Sequence, residues 1–244
     1  MAGAGKWIAG GLAVMVLAVG GELLWIHHRN VEDETATVAK PEYKSDPDDL
    51  VFLKQEHPML LKDAKDLKGR TLWVSAGGQM DYYPVSGGHV DFAHSQGVLL
   101  GAEKIEAKDA VEQVAPAKTA IRIPAGDKQV LLVFTKAADT KEFATPIGYK
   151  QGGDYTFETD QIFFYDDPHQ LYSYWGPAVW KAIDAHQAIP GMSEREVQMA
   201  LGQVSKPDGD KVGDRIVTFD DQGHPKRVTF VNNKVTAFRA DQGY

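Results

Sequence analysis

The sequence predicts an α+β chain in three parts: a single N-terminal transmembrane helix, a small β-rich middle module, and a C-terminal module of two helices on a three-stranded antiparallel meander. Three observations predict it. Residues 7–26 read WIAGGLAVMVLAVGGELLWI, with Glu22 as their only charge. Between Lys68 and Gly152, short apolar runs alternate with glycine pairs. From Ser193 onward, a helix-starting S-x-x-E is followed by strand-like runs and an Asn-Asn turn.

The apolar stretch, coiled as a helix, is about 30 Å long, the thickness of a bilayer core. Trp7 and Trp25 stand near its ends, where indole rings favour the headgroup region. A cleavable signal peptide is the rival reading, since Lys6 gives a positive n-region and Ala18-Val19-Gly20 offers small residues. The apolar character continues past that point through Leu23, Leu24, Trp25 and Ile26, which favours an uncleaved anchor over residues 1–29. Its signal-like form places the N-terminus in the cytoplasm and the rest in the periplasm, as a single-pass protein of a bacterial inner membrane. Glu22 reads as interfacial beside Trp25, or as facing a partner helix. Gly10, Gly11, Gly20 and Gly21, with Glu22 and Trp25, are candidate partner-binding residues, because small residues let helices approach closely in lipid.

Residues 30–49 are polar, acidic and contain two prolines, so they read as an extended linker. The remainder of the 244-residue chain divides into a β-rich module over 50–170 and an α2β3 module over 171–244. A net charge of −8 and the lack of any long basic run argue against nucleic acid as a partner. With no cysteine, disulfides, thiolate metal sites and thiol nucleophiles are excluded.

In the middle module, Pro58 bounds a short helix whose apolar face is Met59, Leu60, Ala64 and Leu67. Strands are expected at residues 70–76, 80–85, 121–123 and 129–135. The last, QVLLVFT, is apolar on both faces and should be central and doubly covered. Short strands with glycine turns suggest a barrel or sandwich. The opening LKGRTLWVSAGG weakly resembles bacterial SH3-like modules.

Aromatic residues then crowd together. Phe163, Phe164, Tyr165, Tyr172, Trp175 and Trp180 form a candidate junction between the two modules, and such clusters are usually core. Residues 171–187 have helical spacing, interrupted by Pro177. Ser193 with Glu196 makes a capping box, and Gly202 ends that second helix. Strands follow at residues 215–220, 226–231 and 234–239. Asn232-Asn233 is a two-residue hairpin loop, because asparagine tolerates positive φ. That loop sets Phe230 opposite Val235 and Val228 opposite Ala237, all on one apolar face.

The segment IPGMSEREVQMALGQVSKP and the later VTFDDQGHPKRVTFVNNKVTAF, within residues 189–238, resemble the BamE/SmpA–OmlA domain family. The shared pattern is an I-x-x-GM-[ST] start, an E-V-x-x-x-LG helix, a short loop with proline, and strands ending in F-x-N/D-G/N-x-V. The resemblance implies a two-helix, three-strand module of bacterial envelope proteins. The best-known member of that family is a small lipoprotein assisting the outer-membrane β-barrel assembly machine. This chain differs in lacking a lipid-bearing cysteine and in its long preceding region.

Motifs for chemistry are few. His89, Asp91 and His94 are the most metal-like set, yet on a strand His94 would point away from the other two. Asp166, Asp167 and His169 are the candidate ligand or acid–base residues, though Asp before Pro is also an ordinary turn starter. No G-x-S-x-G, P-loop, G-x-G-x-x-G or H-E-x-x-H is present, and no cofactor motif is readable. The expected function is a non-catalytic scaffold, assembly factor or accessory subunit of a larger membrane complex. The alternative is a protein that binds or hydrolyses cell-wall glycan through the aromatic cluster and residues 166–169.

Overall fold

The computed structural model describes residues 20–25, 47–76, 79–120, 122–136 and 139–240. The chain divides into two units, Met1–Leu50 and Val51–Tyr244. In the first, residues 20–25 are helical and Pro47–Leu50 forms a 3-10 turn. Gly10, Gly11 and the rest of the apolar stretch before Gly20 lie outside the described residues.

The fold class expected from sequence needs correction. Among the described residues, no helix is long and apolar enough to cross a membrane. The structure consists mostly of strands in two antiparallel sheets, of eight and four strands, and its longest helices in the second unit have 8 residues.

The larger sheet comprises β1 (Thr71–Val74), β2 (Tyr83–Ser86), β3 (His89–Val90), β4 (Lys104–Gln113), β5 (Lys128–Lys136), β6 (Phe143–Gln151), β7 (Asp154–Phe157) and β8 (Phe163–Phe164). The strand order is β3-β2-β6-β5-β4-β1-β8, with β7 also on β6. As expected, β5 is central and buried from Gln129 to Thr135. Its alternate residues point to opposite faces. Val130, Leu132 and Phe134 enter a first core with Leu72, Ile105 and Ile147, whereas Leu131 and Val133 join Tyr83, Val90 and Ala144 in a smaller one. The short helix after Pro58 is α1 (Leu61–Lys65), with Ala64 and Leu67 buried. Met59 and Leu60 do not share that buried face; they are exposed.

The second sheet has order β12-β11-β10-β9, from β9 (Val204–Asp208), β10 (Ile216–Phe219), β11 (Lys226–Val231) and β12 (Lys234–Ala240). Four strands replace the expected three because residues 204–208, where no strand was expected, pair with β10. Pro207 is tolerated there since an edge strand leaves one row of N–H groups unused. The expected helix over 171–187 is three pieces: α3 (Pro168–Leu171, after the four-residue α2, Thr159–Ile162), a 3-10 turn at Ser173–Trp175, and α4 (Pro177–Asp184). The break falls at Gly176, whose φ of 80° ends the turn, and Pro177 starts α4 at N1.

Helix α5 (Glu194–Leu201) carries the capping box read from sequence. The Ser193 hydroxyl accepts from Glu196 N–H at 3.2 Å while the Glu196 carboxylate accepts from Ser193 N–H. Asn232 and Asn233 adopt φ of 52° and 56°, and Phe230 stands opposite Val235. A bulge between Thr229 and Phe230 then shifts the register, so Val228 faces Phe238 and not Ala237, which is exposed. Helices α4 and α5 and the inner sheet face enclose a second large core, with Trp180, Ile183, Val197, Val217, Phe219 and Phe230 at its centre.

The two large cores meet across one corner of the big sheet. Adjacent strand residues point oppositely, so on β8 Phe163 enters the first core and Phe164 the second. On β1, Leu72 and Val74 face the first core while Trp73 packs against the second. Gly101 allows the close approach of α5, since a Cβ there would lie 2.2 Å from the Met199 carbonyl oxygen.

Candidate functional site

The turn at Asp166-Asp167-Pro168 starts α3. Asp167 is its N-cap, accepting from His169 N–H at 3.0 Å, and Pro168 sits at N1, where no N–H is needed. The same carboxylate lies 2.9 Å from His169 Nδ1, and Asp184, at the end of α4, lies 3.1 Å from Nε2. The imidazole rests on Trp180, with ring centres 4.1 Å apart. Trp180 stacks on Trp175 at 5.2 Å, and Trp175 on Tyr172 at 4.5 Å. The Trp180 indole N–H donates to the Tyr172 carbonyl at 3.0 Å, fixing the ladder of four rings. Of the ligand candidates, then, Asp167 and His169 come together with Asp184, which sequence reasoning missed, while Asp166 is exposed. Both imidazole nitrogens already face carboxylates.

All six aromatic-junction residues are buried: Phe163 and Tyr165 in the first core, and Phe164, Tyr172, Trp175 and Trp180 in the second. Among the anchor candidates, Gly21, Glu22 and Trp25 are exposed in the helical residues 20–25, and Gly20 is half-buried. His94 pairs with Asp91 at 2.7 Å, both exposed, and among the described residues no group of three or more acidic or histidine side chains is placed to hold a metal. Between residues 98–101 and the C-terminal end of α5 lies a cavity of about 20 Å³ beside the buried, unpartnered Gln79 Oε1. That is room for one water.

Set against family models, curated proteins and solved structures, the chain matches none. Its functional reading therefore rests on its own residues and geometry.

A second polar cluster has no local sequence signal. Asp160 accepts from Glu56 N–H at 3.0 Å, His57 N–H at 2.9 Å and the Tyr165 hydroxyl at 2.7 Å. Arg70 pairs with Glu56 at 2.8 Å, and its guanidinium lies over the Tyr165 ring at 5.1 Å. These contacts pin an extended strap, residues 51–60, across the body of the second unit. Burial opposes ionisation of Asp160, but hydrogen bonds from Glu56, Tyr165 and His57 outweigh it and hold the carboxyl below the usual range. Burial, and then the Asp160 carboxylate, push the Tyr165 phenol up.

A pH dependence follows. Because the folded pKa of Asp160 is depressed, its contribution is present above the unfolded value of about 3.9 and is lost as pH falls through the folded value. Asp160→Asn should lower stability by about 1–3 kcal/mol near neutrality. The gap between wild type and variant should close below about pH 4 in urea melts. A gap of constant size across the acid range would refute the assignment.

Proposed function

We propose that the chain is a non-catalytic docking protein of a bacterial envelope: a scaffold, assembly factor or accessory subunit of a larger membrane complex. Its apolar N-terminal stretch holds it at the inner membrane, and the compact unit works in the periplasm. The observation that carries this reading is the strap. Phe52 is 95% exposed and Met59 75%, with Leu53 and Leu60 beside them in sequence also exposed. Large apolar residues grouped on one short exposed segment are a candidate association site. Asp160 and Arg70 fasten the strap at Glu56 and His57, between Phe52 and Met59, whose side chains stay in solvent. The occupied nitrogens of His169 and the burial of its ring ladder support docking over hydrolysis. The resemblance of residues 189–238 to an assembly-factor domain points the same way.

The test is co-purification from detergent-solubilised membranes. Phe52→Ser with Met59→Ser is expected to release the bound protein, whereas Asp167→Asn and His169→Ala leave it in place. Loss of envelope function from the Asp167 and His169 variants, with association retained, would replace docking by the glycan-directed alternative.

A further inference from the structure

The second sheet ends on β12, and among the described residues no strand lies beyond it. Two side chains on this edge are incomplete. Phe238 stands opposite Val228, which is fully buried, so the register places it on the inner side of the sheet at the rim of the core. Yet Phe238 is 49% exposed, and among the described residues no strand lies beside it on that flank. Arg239, the next residue, faces the other way and stands opposite Arg227. Like charges directly opposite one another are destabilising. Arg227 is drawn to Asp208, at 2.9 Å, on the far side of the sheet. Through Thr218 the same row reaches Lys206, so three cations line up across one face of a chain whose net charge is −8. On that outer face Arg227 and Arg239 line a shallow groove with Ile216, Thr229 and Ala237.

We infer that the free edge of β12 receives an extended segment of a protein partner in which apolar and acidic residues alternate. The inference rests on the docking reading and names the chemistry of the partner. An added strand continues the backbone ladder, and its side chains alternate between faces. The residue opposite Phe238 falls on the inner face, where an apolar group closes the core. Its neighbour, opposite Arg239, falls on the outer face, where a carboxylate meets a guanidinium that repels Arg227. A second copy of this chain fits poorly, since it would bring Lys234 and Arg239 against the same row. Edge protection by cations accounts for Lys234 and Arg239. It does not account for the half-open Phe238.

The probe is a capped, dye-labelled peptide alternating valine with glutamate, titrated into the full chain in detergent and read by fluorescence anisotropy. A valine–lysine peptide serves as its counterpart. The glutamate peptide is expected to bind at least tenfold more tightly. Arg239→Glu should reverse that preference, and Phe238→Ser should weaken the glutamate peptide without reversing it. Equal binding of the two peptides, or indifference to Arg239→Glu, overturns the inference. So does Arg239-dependent binding of phosphatidylglycerol vesicles by a chain that ignores the glutamate peptide, which assigns the cations to a lipid surface. Co-purification separates this proposal from the broader one. If Arg239→Glu keeps every partner that Phe52→Ser with Met59→Ser releases, docking stands and the β12 assignment fails. If no protein co-purifies with the wild type, the docking reading fails with it.

Discussion

Phe230→Ala should lower the unfolding free energy by about 3–5 kcal/mol, the range for removing a large aromatic from a packed core. The ring is 2% exposed and meets Phe219 edge to face with centres 6.3 Å apart. Val217, Val228 and Val235 surround the pair on the sheet, and Val197 and Leu201 on α5 belong to the same core. None of these short side chains reaches far enough to refill the space. The informative comparison is the next residue. Val231 points to the opposite face and is 49% exposed, so Val231→Ala should cost only about 0.5 kcal/mol or less. A one-residue slip of β11 would exchange the two roles. Urea melts of both variants therefore test the register itself. A loss below about 1 kcal/mol for Phe230→Ala, or a larger loss at Val231, would place the strand wrongly.

What was legible in the sequence is what local chemistry dictates. Seven successive buried positions on β5 can arise only where a strand is covered on both faces, and the run QVLLVFT announces it. Ser193 and Glu196 satisfy each other's backbone groups across one helical turn, so their spacing was sufficient. Asn232 and Asn233 supply two positive φ angles in succession. The failures are as specific. The run KIEAKDAVEQ of β4 reads as polar because a bulge between Ala107 and Asp109 breaks its alternation: Ile105 and Ala107 face the core, but the next buried residue is Ala110. Polar β9, with Pro207, gave no strand signal of its own and takes its conformation from β10. The bulge opposite Thr229 and Phe230 places its extra residue, Thr236, in β12, and neither turn residue of the hairpin announces it.

The candidate sites divide along the same line. Asp167 and His169, two residues apart, were readable as a pair. Asp184 completes their cluster only because α4 folds back against α3, 15 residues on from His169. Asp160 was silent because its hydrogen-bonding partner Glu56 is 104 residues away in sequence. An exposed aromatic such as Phe52 is indistinguishable from a core residue until the strap that holds it outward is known.

Glu194→Ala should be nearly as costly as the loss of Phe230, about 3–5 kcal/mol, through charge instead of volume. Glu194 opens α5, where the helix dipole favours an anion. Its carboxylate accepts from Gly213 N–H at 3.1 Å and from Arg215 Nε at 3.2 Å, and Arg215 Nη2 bonds its second oxygen. Its backbone N–H donates to the Asn233 side chain at 3.2 Å, and Asn233 N–H in turn donates to the Gly213 carbonyl at 2.8 Å. One residue thus joins the start of α5, the loop before β10 and the tip of the β11–β12 hairpin. The side chains of Glu194 and Arg215 are only 9% and 15% exposed. Alanine at position 194 leaves a largely buried guanidinium without its carboxylate and a loop N–H without an acceptor, and each loss is more expensive than the missing contact alone. Replacing both partners, as Glu194→Ala with Arg215→Met, removes the stranded charge and should recover part of the stability. Urea melts of the single and double variants give the comparison. A double variant less stable than Glu194→Ala, or a single variant within about 1 kcal/mol of wild type, would show that the pair does not hold these three elements together.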